Sequence, residues 1–318
     1  MNALKAIIRR ELQEHKWGFV YLPWIVAAFM SLVIVMVYLG ITEVNTENFK
    51  FSTEVFADPE TVQGMNEATL DQRQAGIRAG LLVLGFPLVI ALGFAILAYS
   101  LSTFFDERKD KSIIFWRSLP VSDSFTVLSK LSVALFVAPL LVIPALLFLH
   151  LFSVTAGSIF FAVSDIVPFT WAWQAYPWLD WIRVIFSLWM QALWSFPVIA
   201  WIMLTGAYAR KPVVTAILPP VVIVLVEGVS LSSSVFYDSL IDRLIPWSRS
   251  SSFPKEYETL QVAEISDVPL LLGMNEFWIG IGLGAIFVFL TIYFRSKSDY
   301  ASVAVSYTHL TLPTKRIV

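Results

Sequence analysis

The chain has 318 residues, 57% of them hydrophobic and only 14% charged, with a formal net charge of −2 and a mean hydropathy of +0.72. Soluble domains carry roughly 25% charged residues, so this composition excludes an ordinary soluble enzyme and points to a polytopic membrane protein. Its scattered cations form no basic stripe for nucleic acid, and the absence of cysteine excludes disulfides, thiolate metal sites and cysteine nucleophiles.

Residues 1–17 read as an amphipathic helix. Leu4, Ile7, Ile8 and Leu12 recur at helical spacing, and Lys5, Arg9, Arg10, Glu11 and Glu14 cover the remaining surface. Such a helix is expected along the inner leaflet, with its cations near anionic headgroups. The first apolar run behind it is too long for a cleavable signal. A helix crossing about 30 Å of hydrocarbon needs roughly 20 apolar residues. Six runs qualify, at about 18–41, 77–103, 125–152, 183–208, 213–231 and 277–294, and their few charges sit near the ends. The expected fold class is therefore all-α, a single membrane domain over residues 1–304.

The segments between these runs differ sharply in charge. Lys5, Arg9, Arg10 and Lys16 precede the first run, and Arg108, Lys109, Lys111 and Arg117 lie between the second and third. Arg210 and Lys211 fill the turn between the fourth and fifth, and Arg295 and Lys297 follow the sixth. The alternate segments are acidic or nearly free of cations. Residues 42–76 carry seven acids against Lys50 and Arg73, and residues 153–182 have no Lys or Arg, whereas 232–276 are more mixed. All cation-rich segments thus fall on one side, so both termini are expected in the cytoplasm.

Several intramembrane features stand out. Trp171, Trp173, Tyr176, Trp178 and Trp181 are spaced to lie flat as an interfacial aromatic belt. Pro139, Pro144, Pro197, Pro219 and Pro220 fall within apolar runs and are expected to kink or locally open them. Gln191, Glu227 and His150 are polar within or at the ends of apolar runs. An intramembrane polar group is a functional candidate, so Gln191 and Glu227 are candidate translocation-path residues. Spacings of the GxxxG type at Gly76/Gly80 and Gly280/Gly284 permit close helix approach, with packing inside one chain as the ordinary use.

The segment FFDERKDKSIIFWRSLPVSDS, running from Phe104 to Ser124, is the most informative. Its charged start is followed by Ile113, Ile114, Phe115, Trp116 and Leu119, an apolar group on a loop that must sit in water. Pro120 stops that element, and Ser122 or Asp123 can cap the next helix. A short helix parallel to the membrane, pinned at both ends, is the expected result.

This loop resembles the first cytoplasmic loop of permease subunits of bacterial ABC-2-type ATP-binding-cassette transporters. The shared run is D-E-R-K-D-K-S-I-x-F-W-R-S-L-P-V-S-D, and the layout of an N-terminal helix and six spans is similar as well. The resemblance implies that the loop is a coupling helix seated in a cleft of an ATPase subunit, with Glu107, Arg108, Lys109, Arg117, Ser118, Leu119 and Pro120 as contacts. It implies an interface helix bearing Arg9, Arg10 and Glu11, a second permease subunit in a homodimer or heterodimer, and export across the bacterial inner membrane. The chain has no G-x-x-x-x-G-K-[ST] run. ATP and magnesium would therefore be bound by the partner, and this chain is expected to bind no cofactor or metal and to be no enzyme itself. No H-E-x-x-H or G-x-S-x-G site occurs. A membrane scaffold without transport activity is the alternative. Residues 305–314 (VSYTHLTLPT) resemble a translated sequencing-library adapter, so 305–318 are read as a non-native tail.

Overall fold

A computed structural model describes residues 2–46, 49–113, 121–245 and 272–297. The tail at 305–318 lies outside them. The described chain is helical apart from one short antiparallel hairpin. In order it runs through α1 (Asn2–Glu14), α2 (Trp17–Tyr38), the hairpin of β1 (Val44–Thr46) and β2 (Phe49–Phe51), α3 (Thr53–Ala57), α4 (Pro59–Glu67) and α5 (Leu70–Lys109). It continues with α6 (Asp123–Val163), α7 (Thr170–Gln174), α8 (Asp180–Trp194), α9 (Phe196–Tyr208), α10 (Pro212–Leu231), α11 (Val235–Leu244) and α12 (Asn275–Lys297). Five of these helices are long and apolar enough to cross a membrane, and there are six spans if α8 and α9 count as one bent by 54°.

The second and third spans are longer than the apolar runs that predict them. α5 has 40 residues and α6 has 41, each about 60 Å at 1.5 Å per residue, roughly twice a hydrocarbon core. α5 starts with a reciprocal cap, in which Thr69 accepts from the Gln72 amide and the Gln72 side chain accepts from the Thr69 amide. Its polar extensions carry it past the apolar run at both ends.

The expected local opening occurs at Pro139, and the same device precedes Pro23. Both α2 and α6 contain one widened π-type turn, at Trp17–Tyr21 and Val133–Val137, just ahead of Pro23 and Pro139. A proline lacks the N–H that would bond the preceding turn, and a wider turn absorbs the misfit without ending the helix. Pro144, Pro219 and Pro220 lie inside uninterrupted helices. Only Pro197 sits at a break, in the first turn of α9 after Ser195.

The core is built by α2, α5, α6 and α9. Phe19, Ala27, Leu88, Leu92, Val142, Leu149, Ile199 and Met203 are among its buried members. α12 packs along α9, and their two glycines explain how. A Cβ on Gly284 would lie 2.4 Å from the Phe196 ring, and one on Gly280 would lie 2.6 Å from the Arg243 guanidinium. Gly280 and Gly284 therefore serve packing within the chain, whereas Gly76 and Gly80 face open space. α10 buries only Pro212 and Glu227.

At the end of the bundle away from α1, the expected flat aromatic belt is instead a folded cap. Ala172 and Tyr176 are buried against Leu81 and Val154, with Trp171, Trp173 and Trp181 packed around them, and Trp178 is left exposed. Trp171 donates to the Met65 carbonyl at 3.1 Å, and Arg78 pairs with Asp180 at 2.5 Å. Indole N–H groups and a cation that find partners inside the chain have less reason to seek headgroups.

Candidate functional site

At the α1 end, five charged side chains from four helices converge where apolar packing would be expected. α5 presents Tyr99, Thr103 and Glu107 at four-residue spacing, which stacks them on one face. α1 contributes Glu11, α6 contributes Asp123 and Lys130, and α12 contributes Arg295. Glu11 is 0% and Lys130 1% exposed. The Lys130 Nζ lies 2.8 Å from Glu11, 2.7 Å from the Thr103 hydroxyl and 3.1 Å from Glu107 Oε1, the last as a charge contact rather than an aligned hydrogen bond. Tyr99 and Thr103 both donate to Glu11, at 3.1 and 3.2 Å. Arg295 joins Glu107 at 2.5 Å to Asp123 at 3.0 Å. Arg10 adds a third cation 3.8 Å from Glu107 and pairs with Glu14 at 2.6 Å.

Charge balance explains why the group tolerates burial. Glu11, Glu107 and Asp123 oppose Lys130, Arg295 and Arg10, and hydroxyls fill remaining acceptor sites. The Phe104 ring lies between Lys130 and Arg295, 5.5 and 5.4 Å from its centroid, adding attraction at its face. A buried ion pair barely outweighs its desolvation, but removing one partner strands the other at a cost of about 3–5 kcal/mol. The junction therefore fixes the relative positions of α1, α5, α6 and α12 more than it adds net stability.

The loop that resembles a coupling helix springs from this junction. α5 ends at Lys109, and Lys111 turns the chain with a left-handed backbone (φ 57°). Ser122 caps α6 by accepting from the Phe125 amide at 3.2 Å, while Asp123 in the first turn pairs with Arg295. Each end of the loop is thus tied to the junction, through Glu107 on one side and Asp123 on the other. Arg108 is half-buried and donates to the Ala209 carbonyl at 2.5 Å, joining this region to the turn between α9 and α10.

The seven residues of the expected loop contact are not presented alike. Glu107 is buried and committed to cations, Arg108 is partly committed to Ala209, and Lys109 is exposed. Arg117, Ser118, Leu119 and Pro120 lie outside the described residues, as do Ile114, Phe115 and Trp116. Ile113 is buried, so the first apolar residue of the loop packs inward. Of the three residues on the N-terminal helix, Arg9 is exposed, Arg10 partly exposed and Glu11 wholly buried. Ile8 and Leu12 pack against the core and leave Leu4 exposed. Ligand-type atoms of Glu11, Glu14 and His15 lie within 4.8 Å of one another. Glu11 is already taken by Lys130, Tyr99 and Thr103, so the trio belongs to the junction rather than to a separate metal centre. His15 packs edge-on to Tyr99 at 4.8 Å, and burial lowers its pKa below the ordinary histidine value.

Gln191 and Glu227 occupy different places. Gln191 lines a cavity among α5, α6, α8 and α9. Glu227 instead accepts from the Phe236 amide at 2.8 Å and the Tyr237 amide at 3.1 Å, fixing the start of α11. His150 is bonded to the Leu81 carbonyl at 3.0 Å. Arg243, Tyr99, Thr103 and Asp123 are the positions that sequence reading missed as partners. The four-residue repeat of polar groups in α5 and the lone lysine in the third apolar run are the signals that could have found the junction. Comparison with protein-family models, curated proteins and solved structures found no match to the chain.

Proposed function

We propose that the chain is the transmembrane permease subunit of a bacterial ABC-2-type transporter, exporting a substrate across the inner membrane with ATP hydrolysed by a separate ATPase subunit. In this reading a second permease subunit completes the pore, ATP and magnesium stay on the ATPases, and both termini face the cytoplasm. The observation that carries it is the buried junction at the root of the loop between α5 and α6. Force applied to that loop reaches α1, α5, α6 and α12 together, because Glu107 and Asp123 tie both of its ends to Arg295. A passive topogenic turn has no need of such a root. The lipid-exposed helices are the moving parts, and Lys109, Arg117, Ser118, Leu119 and Pro120 are the contact residues. Glu107 and Glu11 act as positioning residues inside the protein, and Arg9 and Arg10 lie on the interface helix.

The test is affinity purification of the chain from its native membrane, followed by vesicle transport with and without ATP. An ATP-binding-cassette ATPase is expected in the complex. The variants Arg117→Glu and Leu119→Ala are expected to retain assembly and lose transport. Solute movement by the isolated chain in liposomes without ATP, or cross-linking of the loop from the periplasmic side, would overturn the reading.

A further inference from the structure

Along α1 and the turn after it runs an open groove of about 580 Å³, within the roughly 300–1,000 Å³ usual for small-molecule sites. Among the described residues it is lined by the apolar Leu4, Ile8 and Leu12 and by the polar Lys5, Arg9, Gln13 and Lys16, with no carboxylate. The polar four recur at steps of four, four and three residues, which places them along one helix face. Lys5, Arg9 and Lys16 are exposed, and among the described residues none of them is ion-paired. The acids of α1 are engaged elsewhere, Glu11 by Lys130 at 2.8 Å and Glu14 by Arg10 at 2.6 Å. Asp106 of α5 acts through space on His15, which does not line the groove.

Two observations point to a lipid rather than a soluble acidic protein as the occupant. Lys16 leads straight into α2, where Trp17 is 69% and Tyr21 41% exposed, their ring centroids 4.8 Å apart. Exposed tryptophan and tyrosine at the start of a span mark the headgroup level. Further along, Trp24, Ile25 and Phe29 leave an apolar face of α2 open, a surface that an acyl chain can follow. The spacing of the cations then selects the head. Lys5 and Arg9 lie about 6 Å apart along the helix axis, and Lys16 about 10 Å beyond Arg9. A single phosphate cannot serve both basic points, and one negative charge leaves most of the three cations uncompensated.

We propose that this groove binds a phospholipid whose head carries two phosphates joined by a short hydroxylated linker, drawn from the leaflet on the α1 side. One phosphate pairs with Lys5 and Arg9, the other with Lys16, and the linker hydroxyl meets Gln13. Plain attraction of cations to an anionic surface depends on charge density alone, whereas this site distinguishes heads of equal total charge. It stands independently of the transport reading.

The test is native mass spectrometry of the full chain released from phosphatidylcholine nanodiscs that contain diphosphatidylglycerol or, at matched negative charge, phosphatidylglycerol. Each Lys or Arg near an anionic surface is worth a factor of about five in affinity. Retention of diphosphatidylglycerol is therefore expected to exceed that of phosphatidylglycerol by at least about fivefold, the share of Lys16 alone. The triple variant Lys5→Gln/Arg9→Gln/Lys16→Gln is expected to lose more than about fiftyfold. Lys5→Arg/Arg9→Lys/Lys16→Arg keeps the charge and should keep the lipid. Arg210→Gln/Lys211→Gln, which removes exposed cations outside the groove, should keep it too. Equal retention of the two lipids at matched charge would reduce the effect to surface attraction and overturn the proposal, as would full retention in the triple variant. Loss of ATPase capture in the triple variant with lipid retention unchanged would assign the groove to a protein partner and overturn it as well. Failure of the parent chain to capture an ATPase counts against the transport reading and leaves the lipid result standing.

Discussion

Replacing Lys130 with Met keeps the side-chain length and removes the charge at the centre of the junction. Glu11 then keeps the Tyr99 and Thr103 hydroxyls and a long contact to Arg10 at 4.0 Å, and Glu107 keeps Arg295 and Arg10. The residue set changes from balanced to one excess negative charge at a site where Glu11 is 0% exposed. Stranding a buried charge costs about 3–5 kcal/mol. Adding Glu11→Gln to Lys130→Met restores the balance, so the double variant is expected to be more stable than the sum of the single effects, by roughly 1–3 kcal/mol of coupling. Reversible unfolding in mixed micelles, followed by helical circular dichroism, measures all four corners of the cycle. A Lys130→Met protein within about 0.5 kcal/mol of the parent, the range of neutral surface substitutions, would refute the junction as an energetic unit. Strict additivity of the two changes would do the same.

Further outcomes follow from the same geometry. Burial lowers the His15 pKa, so the folded state prefers the neutral ring. The unfolded chain takes up the proton first as pH falls, and stability is expected to decline from about pH 6.5 downward; stability against pH for His15→Gln should lose that slope, and an unchanged slope would exclude His15 as its source. A Cβ on Gly206 would lie 2.6 Å from the Leu101 carbonyl, so Gly206→Val is expected to part α5 from α9 and cost about 1–3 kcal/mol, read as a lower unfolding midpoint. Since the chain has no cysteine, single cysteines at Arg9, Lys109, Arg210 and Lys297 can be labelled without background. All four are expected to react from the cytoplasmic side with a membrane-impermeant maleimide, and mixed sidedness would undo the assigned orientation.

The apolar runs were legible because hydrocarbon demands a long, uncharged stretch, and each run has a helical counterpart. Their ends were not. The extensions of α5 and α6 are polar helix stabilised by caps and tertiary contacts, which an apolar-run criterion cannot see. The loop was found from its charge and aromatic content, but the direction each charge takes depends on partners far away in sequence. Glu107 lies 188 residues from Arg295 and Lys130 lies 119 from Glu11. Nothing local distinguishes Glu107, turned inward, from Lys109, turned outward. The aromatic residues at 171–181 misled for a related reason: their composition fits a headgroup belt, and only the ends of α5 and α6 beneath them supply the surface on which they fold. Arg243 was hidden in a segment of mixed charge, since the carbonyls it meets, of Trp194 and Glu276, lie far from it in sequence.

The unbroken length of α5 has a mechanical corollary. A 40-residue helix measures about 60 Å, so tilting it by about 5° around one end would sweep the other through ~5 Å, close to the rise of one helical turn. Lys109 and Leu70 are opposite tips of one continuous helix, with Pro87 inside it. A shove too small to unfold anything at the first tip would arrive at the second as a displacement wide enough to shift the Arg78–Asp180 pair from its seat.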